Sequence, residues 1–275
     1  MSKRTWPRLK AMKADGRKIV MITAYDYPSA TLAEMADVDI MLVGDSLGNV
    51  ILGYDSTVTM EDMLHHTRPV VRGRQNALVV ADMPFGSYEV SVEEGVKNAL
   101  CFIKEAGADG VKLEGGINRI PLIEAMVSAS IPVVGHIGLT PQSFAKTGAY
   151  MVQGKTATAA QSLVEDAKAL EKAGISLLVL ECVPMLVAAA ISEALAIPVI
   201  GIGAGNGCDG QVLVFHDLLG INCSKKPKFV KEYAKVGEII TAAIHQYALE
   251  VRAGAFPDAA HSFKMAEGED ISKLY

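Results

Sequence analysis

Five apolar runs of this chain each close on a side chain able to carry charge: DIMLVGD on Asp45, ALVVAD on Asp82, GVKLE on Glu114, PVVGH on His136 and SLLVLE on Glu181. A run of that kind reads as a strand buried on both faces, so each group is held at a rigid strand end. Any one of them taken alone is as readily a satisfied structural residue as a functional one, but recurrence at equivalent places favours function. Asp45, Asp82 and Glu114 close three consecutive runs. Three carboxylates gathered without histidine or thiolate select a hard cation, Mg²⁺ with waters completing an octahedron, with Mn²⁺ or Co²⁺ as substitutes. Lys112 stands two residues before Glu114, on the same strand face by period-two alternation, and sets one cation beside three acids. Its structural alternative is a buried pair with Glu114, but such pairs are costly and add little stability. A metal ion with open positions can chelate the carboxylate and keto oxygens of a 2-oxo acid and polarise the carbonyl, which makes the neighbouring C–H easier to deprotonate. Glu181 arrives from a later strand, away from the three acids, and suits the base of that step. These residues imply enolate chemistry.

Side chains so far apart in sequence meet only if the strands carrying them lie side by side. The chain provides for this. A helix over Thr5 to Ala14, ended by Asp15 and Gly16, precedes a strand over Lys18 to Tyr25 and is expected to cap one end of a barrel. A helix over Pro28 to Ala36 leads to the strand at Ile40, and Thr59 with Asp62 starts a helix running to Arg74. After the strand Ala77 to Asp82, Ser91 and Glu94 form a capping box for a helix that stops at Gly107. Helical patterns over Asn118 to Ala129, Thr158 to Ala173 and Met185 to Ala196 alternate with strands opened by Ile131-Pro132, over Ser176 to Cys182 and over Pro198 to Ile202. Gln211 to Phe215 is the eighth strand candidate and Phe229 to Ala253 the closing helix. Eight strands interleaved with helices in 275 residues predict a single (β/α)8 TIM barrel over residues 1–275. The alternative, an open doubly wound sheet, needs fewer parallel strands and a nucleotide fingerprint after the first of them. Ser143 to Lys155 has no clear period, and such loops commonly serve function. Phe256 to Tyr275 is polar and is expected to drape over the surface or a neighbouring subunit.

Composition removes other classes. With 50% hydrophobic residues, 21% charged and a net charge of -5 from interspersed acids and bases, the chain is globular and has no broad basic surface for nucleic acid or anionic lipid. Aromatics at 6% argue against stacking on single strands. Cys101, Cys182, Cys208 and Cys223 form no C-x-x-C pair, which fits a reduced, cytoplasmic setting. Met1 to Lys10 lacks the apolar core of a secretory signal. Leu177 to Gly205, the one membrane-like stretch, is broken by Glu181, Pro184, Glu193 and Pro198.

Two glycine motifs mislead. AYMVQGKT at 149–156 falls one glycine short of a phosphate loop and follows polar, turn-rich residues in place of a buried strand. Gly205, Gly207 and Gly210 spell G-x-G-x-x-G but lead into QVLVF, a strand-like run with no helix N-terminus to hold a pyrophosphate, so they are expected to relieve crowding at the barrel mouth. His65 and His66 have no metal-spaced partner and read as a solvated helix face. Cys182 alternates to the face opposite Glu181 and reads as core.

VGDSLG at 43–48, VVADMPFGSY at 79–88, VKLEGG at 111–116, GHIGLTPQS at 135–143, GAYMVQGK at 148–155, LVLECVP at 178–184 and GQVLVFHD at 210–217 together resemble the ketopantoate hydroxymethyltransferase family over nearly the whole chain. The resemblance implies transfer of a hydroxymethyl group from 5,10-methylenetetrahydrofolate to 3-methyl-2-oxobutanoate, with one Mg²⁺ per subunit. It makes Asp45, Asp82 and Glu114 the metal group, Asp45, Ser46, Asp82 and Lys112 the contacts to the oxo acid, and Glu181 the proton acceptor. His136 matches a histidine of the mouth to which it gives no role. It also implies a homodecamer. Ala149 departs from the family pattern, where a second glycine is expected. Two rivals stand beside this reading. A carbon-carbon lyase of the isocitrate lyase type would use a similar acid cluster, but its K-K-C-G-H loop is missing; a noncatalytic oxo-acid sensor would have little need of a base such as Glu181.

Overall fold

Strands such as IMLV and LVVAD, buried at every position, cannot leave either face in water, and a parallel barrel sheathed in helices is the arrangement that covers both. The computed structural model describes residues 3–54, 58–143, 151–221 and 226–269. Its eight strands are β1 Ile19–Thr23, β2 Ile40–Val43, β3 Leu78–Asp82, β4 Gly110–Glu114, β5 Val133–Gly138, β6 Leu177–Glu181, β7 Val199–Ile202 and β8 Gly210–Leu213. They pair in chain order, all parallel, and β8 returns to β1 to close the barrel. The fold is the (β/α)8 barrel expected.

The helices are α1 Trp6–Ala14, α2 Tyr27–Met35, α3 Leu47–Val50, α4 Met60–Gly73, α5 Val92–Cys101, α6 Ile120–Ser128, α7 Ala157–Lys172, α8 Met185–Ala194, α9 Phe215–Leu219 and α10 Val236–Arg252. Period-two alternation divides the strand side chains into two sets. One set, with Met41, Val43, Val79, Val111 and Leu113, packs outward against the helices. The other, with Met21, Ile40, Leu42, Val80, Val134, Val179 and Val212, fills the barrel, and Leu9 and Met12 of α1 join it from one end. The first helix is therefore the cap that was expected. Continuing the inward set one step beyond Val80, Val134 and Val179 reaches Asp82, His136 and Glu181 at the opposite end.

The structure corrects several local readings. Only the Ser91 half of its capping box forms among the described residues, with Ser91 Oγ accepting from the Glu94 amide. Phe215 is not the end of β8 but the start of α9, where its amide donates to Thr23 Oγ1 at 2.8 Å. The closing helix starts at Val236 and not at Phe229, because the intervening backbone bonds back to the preceding turn: the Tyr233 amide donates to Leu218 O and the Gly237 amide to Gly220 O. The short helix α3 escaped sequence reading, and the β7–β8 connection over 203–209 carries no helix. Gly205 and Gly207 do relieve crowding, but against α8: an added Cβ would lie 2.5 Å from Met185 Cβ and 2.7 Å from Ala189 Cβ. Residues 144–150, which include Ala149 and much of the loop and phosphate-loop-like stretch, lie outside the described residues, as do Cys223 and 270–275.

Gly138 closes β5 with φ +97°, and a Cβ there would fall 2.3 Å from the carbonyl oxygen of Glu181. Its absence lets the Leu139 amide reach that oxygen at 2.8 Å, which ties the end of β5 to the end of β6. Gly138→Ala should therefore lower stability by about 1–3 kcal/mol, the scale of a strained backbone residue. Urea unfolding measures it, and an unchanged midpoint would show that this junction relaxes without cost.

Candidate active site

Strand register decides which charged groups meet. In the β3–β4 pair Asp82 lies opposite Lys112, and in the β4–β5 pair Glu114 lies opposite His136. Lys112 Nζ accordingly sits 2.8 Å from Asp82 Oδ1, and His136 Nδ1 sits 3.3 Å from Glu114 Oε1. Glu181 is opposite Gly138, two residues beyond His136, and across that diagonal its Oε2 faces His136 Nε2 at 3.3 Å. A line of ionic contacts thus crosses four strands. The buried Lys112–Glu114 pair weighed as a structural alternative is not formed as a contact; register gives Lys112 to Asp82 instead.

Asp45 stands two residues past β2, where its amide donates to Asp82 Oδ2 at 3.1 Å. Gly44 leaves room for the Ser46 hydroxyl, since a Cβ at that place would lie 2.8 Å from Ser46 Oγ. Ser46 Oγ shares a hydrogen bond of 2.9 Å with Tyr25 OH. The Tyr25 carbonyl is in turn 2.6 Å from His66 Nδ1, so His66 is an anchor for the site's edge and not a free helix face. Cys182 does not continue the strand into the core: it takes φ +49° just after Glu181 and is half-buried.

Burial governs the titration of these groups, and neighbours decide the outcome. Burial, then the charge of Asp82, pushes the Asp45 carboxyl up to about 7, against the opposing pull of Lys112. Asp82 is raised by burial as well. Burial would raise Glu114 too, but His136, Lys112 and the Gln142 amide outweigh it and hold the carboxyl below its ordinary value. For His136, burial and Lys112 oppose a charge, yet Glu114 and Glu181 prevail and push the imidazole up to about 9. His136 Nδ1 also lies 3.2 Å from Lys112 Nζ, so the ring stands between an ammonium and two carboxylates. Lys112 stays charged, because Asp82, Glu114 and Asp45 outweigh its burial.

A hard divalent cation fits this donor set. The charge of Asp82 raises the proton affinity of Asp45, a repulsion that a metal ion held by the pair would relieve. Glu114 is within electrostatic reach of both, but its oxygens are taken by His136 and by the Gln142 amide at 3.1 Å. Among the described residues no three acids, thiols or imidazoles stand grouped at ligating distances. Sequence reading missed Gln142 and Tyr88. The Gln142 carboxamide donates to Asp45 Oδ2 at 2.8 Å, and Tyr88 OH donates to Gln142 Oε1 and accepts from the Glu114 amide at 3.2 Å. Neither carries a charge at neutral pH or is set at a spacing that marks it.

Inward-facing acids, an ammonium and an imidazole at the carboxyl ends of the strands of a closed (β/α)8 barrel define a barrel enzyme with its site in the usual rim. Residues 3–259 match the sequence model of a family described as ketopantoate hydroxymethyltransferase. The chain is 57% identical over 273 residues to the 3-methyl-2-oxobutanoate hydroxymethyltransferase of Heliobacterium modesticaldum, covering 98% of each. It is 55% identical over 277 residues to the enzyme of the same name from Carboxydothermus hydrogenoformans, covering 100% of each. The chain belongs to the ketopantoate hydroxymethyltransferase family. Among solved structures, it is similar to 2,3-dimethylmalate lyase, a member of the PEP mutase/isocitrate lyase superfamily, with a TM-score of 0.60 over 94% of this chain and 92% of that one. Phosphonopyruvate hydrolase gives 0.60 over 95% and 93%. At 16% and 14% identity these likenesses concern the barrel alone.

Lys112 is buried among three carboxylates, so its loss leaves them uncompensated. Lys112→Met, which keeps the stem, should lower stability by about 3–5 kcal/mol in metal-free denaturant titration. A variant as stable as the parent would mean that the acids take up protons at no net cost.

Proposed function

We propose that this enzyme transfers a hydroxymethyl group from 5,10-methylenetetrahydrofolate to 3-methyl-2-oxobutanoate, giving 2-dehydropantoate and tetrahydrofolate with uptake of water. The observation that carries the reading is the row Asp82, Lys112, Glu114, His136 and Glu181 on one inward face of four adjacent strands, in a chain of this family. Asp45 and Asp82 would hold Mg²⁺, with Glu114 completing the metal group. When bound, the ion supplies Lewis acidity toward the keto oxygen of the oxo acid. Charge supports it: four carboxyl groups, Asp45, Asp82, Glu114 and Glu181, gather around one ammonium and one imidazole, and the Asp45 carboxyl is left raised to about 7.

Ser46 and Lys112, with Asp45 and Asp82, contact the oxo acid, and the Lys112 ammonium attracts its negative end. Glu181 accepts the proton from C3, and the electron pair left on C3 forms the new bond to the one-carbon unit, whose two bonds to the folate nitrogens break while the water taken up supplies the hydroxyl and the nitrogens regain protons. The His136 ring, whose Nε2 is turned to Glu181 at 3.3 Å, orients that carboxylate for its task. Three widely spaced thiols free of disulfides among the described residues suit a cytoplasmic setting, and none of the described helices is long and apolar enough to cross a membrane. The protein is further proposed to form a homodecamer. The exposed Ile239, Ile240, Ile244 and Tyr247 of α10 support its association with further copies.

Asp45→Ala and Asp82→Ala should each abolish Mg²⁺-dependent binding of the oxo acid in calorimetric titration, and Glu114→Ala should weaken it. Unaltered binding in any one of them removes that residue from the metal group.

Proton removal from C3 needs no folate and can be followed alone. With Mg²⁺ in deuterated water the parent enzyme should exchange the C3 hydrogen of 3-methyl-2-oxobutanoate, seen by NMR as collapse of the methyl doublet. Glu181→Gln should slow exchange by roughly a hundredfold or more while oxo acid and metal still bind. Rapid exchange in the variant would assign the base to another residue.

A further inference from the structure

Gln142 lies in the 3-10 turn Pro141–Ser143 just after β5, yet its polar atoms reach the ends of β2, β3 and β4. Nε2 donates to Asp45 Oδ2 at 2.8 Å and to the Met83 carbonyl at 2.9 Å, Oε1 accepts from Tyr88 OH, and the backbone amide donates to Glu114 Oε2 at 3.1 Å. Both carboxamide donors and its acceptor are in use. The orientation of the amide is forced. Met83 O can only accept, so the nitrogen must face it. The Tyr88 oxygen accepts from the Glu114 amide, so its own proton is turned to Gln142 Oε1. Half a turn of the amide would set oxygen against carbonyl oxygen and carboxylate. Asp45 Oδ2 therefore always meets an N–H.

We propose that Gln142 is a positioning residue for the acid pair: it engages one oxygen of Asp45, leaves metal ligation to the other, and fixes the spacing of Asp45 and Glu114 through two bonds from one residue. Tyr88 is the orienter that keeps the amide from turning. The inference rests on the reading of Asp45 and Asp82 as holders of a divalent cation. Its physical basis is that a carboxylate with one oxygen pinned by a directional donor loses its freedom to swing, so the ion meets a site already formed. Nothing in residue type announces this, because Gln142 is neutral and is brought to Asp45 only by closure of the barrel.

The test uses Mn²⁺ as the probe, with free ion counted by electron paramagnetic resonance in the presence of 3-methyl-2-oxobutanoate. Gln142→Met keeps the length and removes every hydrogen bond of the carboxamide. Its Mn²⁺ dissociation constant should rise by about 10–100-fold, the usual effect of removing an orienting partner of a ligand. Tyr88→Phe should raise the constant less, and its effect should be smaller in the Gln142→Met background than alone, since the part carried by the Gln142 amide is already lost there. Turnover at saturating metal should change much less than the metal constant, a split that a loss of folding alone would not produce. A lower urea midpoint with an unaltered Mn²⁺ constant would overturn the inference, and so would additive effects of the two substitutions. Should Gln142→Met fail to fold, Tyr88→Phe decides by itself, with an unchanged constant counting against the proposal. Absence of Mn²⁺ uptake by the parent protein would overturn the metal reading and this inference together; uptake by the parent with no change in Gln142→Met overturns the inference alone.

Discussion

The site depends on the parallel register of β3 to β6. A shift of one residue in any of these pairs would turn every side chain of a strand to the other face and replace an ionisable group with an aliphatic one. As it stands, Asp82 meets Lys112, Glu114 meets His136, and Glu181 lies one diagonal step further. The hydrophobic filling of the barrel enforces that register. Val80, Val134 and Val179 must point inward to close the core, and the residues two steps on are obliged to follow.

Concentrating charge in a dry place is costly, and the rim offsets the cost by pairing. Lys112 meets Asp82, and His136 stands between Glu114 and Glu181. The balance is incomplete at Asp45, where burial and Asp82 raise the carboxyl to about 7. A group so placed gains most from a divalent ion. The incomplete compensation and the proposed function are two aspects of one electrostatic arrangement.

Backbone freedom at a few points allows the strand ends to approach. Gly44 leaves room for the Ser46 hydroxyl beside Asp45, and Gly138 admits Leu139 to the Glu181 carbonyl. Cys182 takes a left-handed conformation where an L-residue pays a steric penalty, next to the proposed base. Such strain is tolerated where the neighbouring strands hold the backbone on both sides.

Alternating apolar runs and helical patterns were enough to read eight strands, the barrel, the capping helix and the row of ionisable groups, because burial on both faces and a period of 3.6 residues leave marks in local composition. Lys112 and Glu114 on one face follow from alternation alone. The partner of each charged group does not. Lys112 pairs with Asp82 and not with Glu114 because pairing across strands depends on register, which no local pattern encodes. The start of the last helix at Val236 depends likewise on bonds from Tyr233 and Gly237 to distant carbonyls. Gln142, Tyr88 and the anchoring role of His66 emerge only in three dimensions, since neutral donors gain their meaning from the atoms they face. Residue type determined what chemistry the chain could hold, and closure of the barrel decided which atoms meet to perform it.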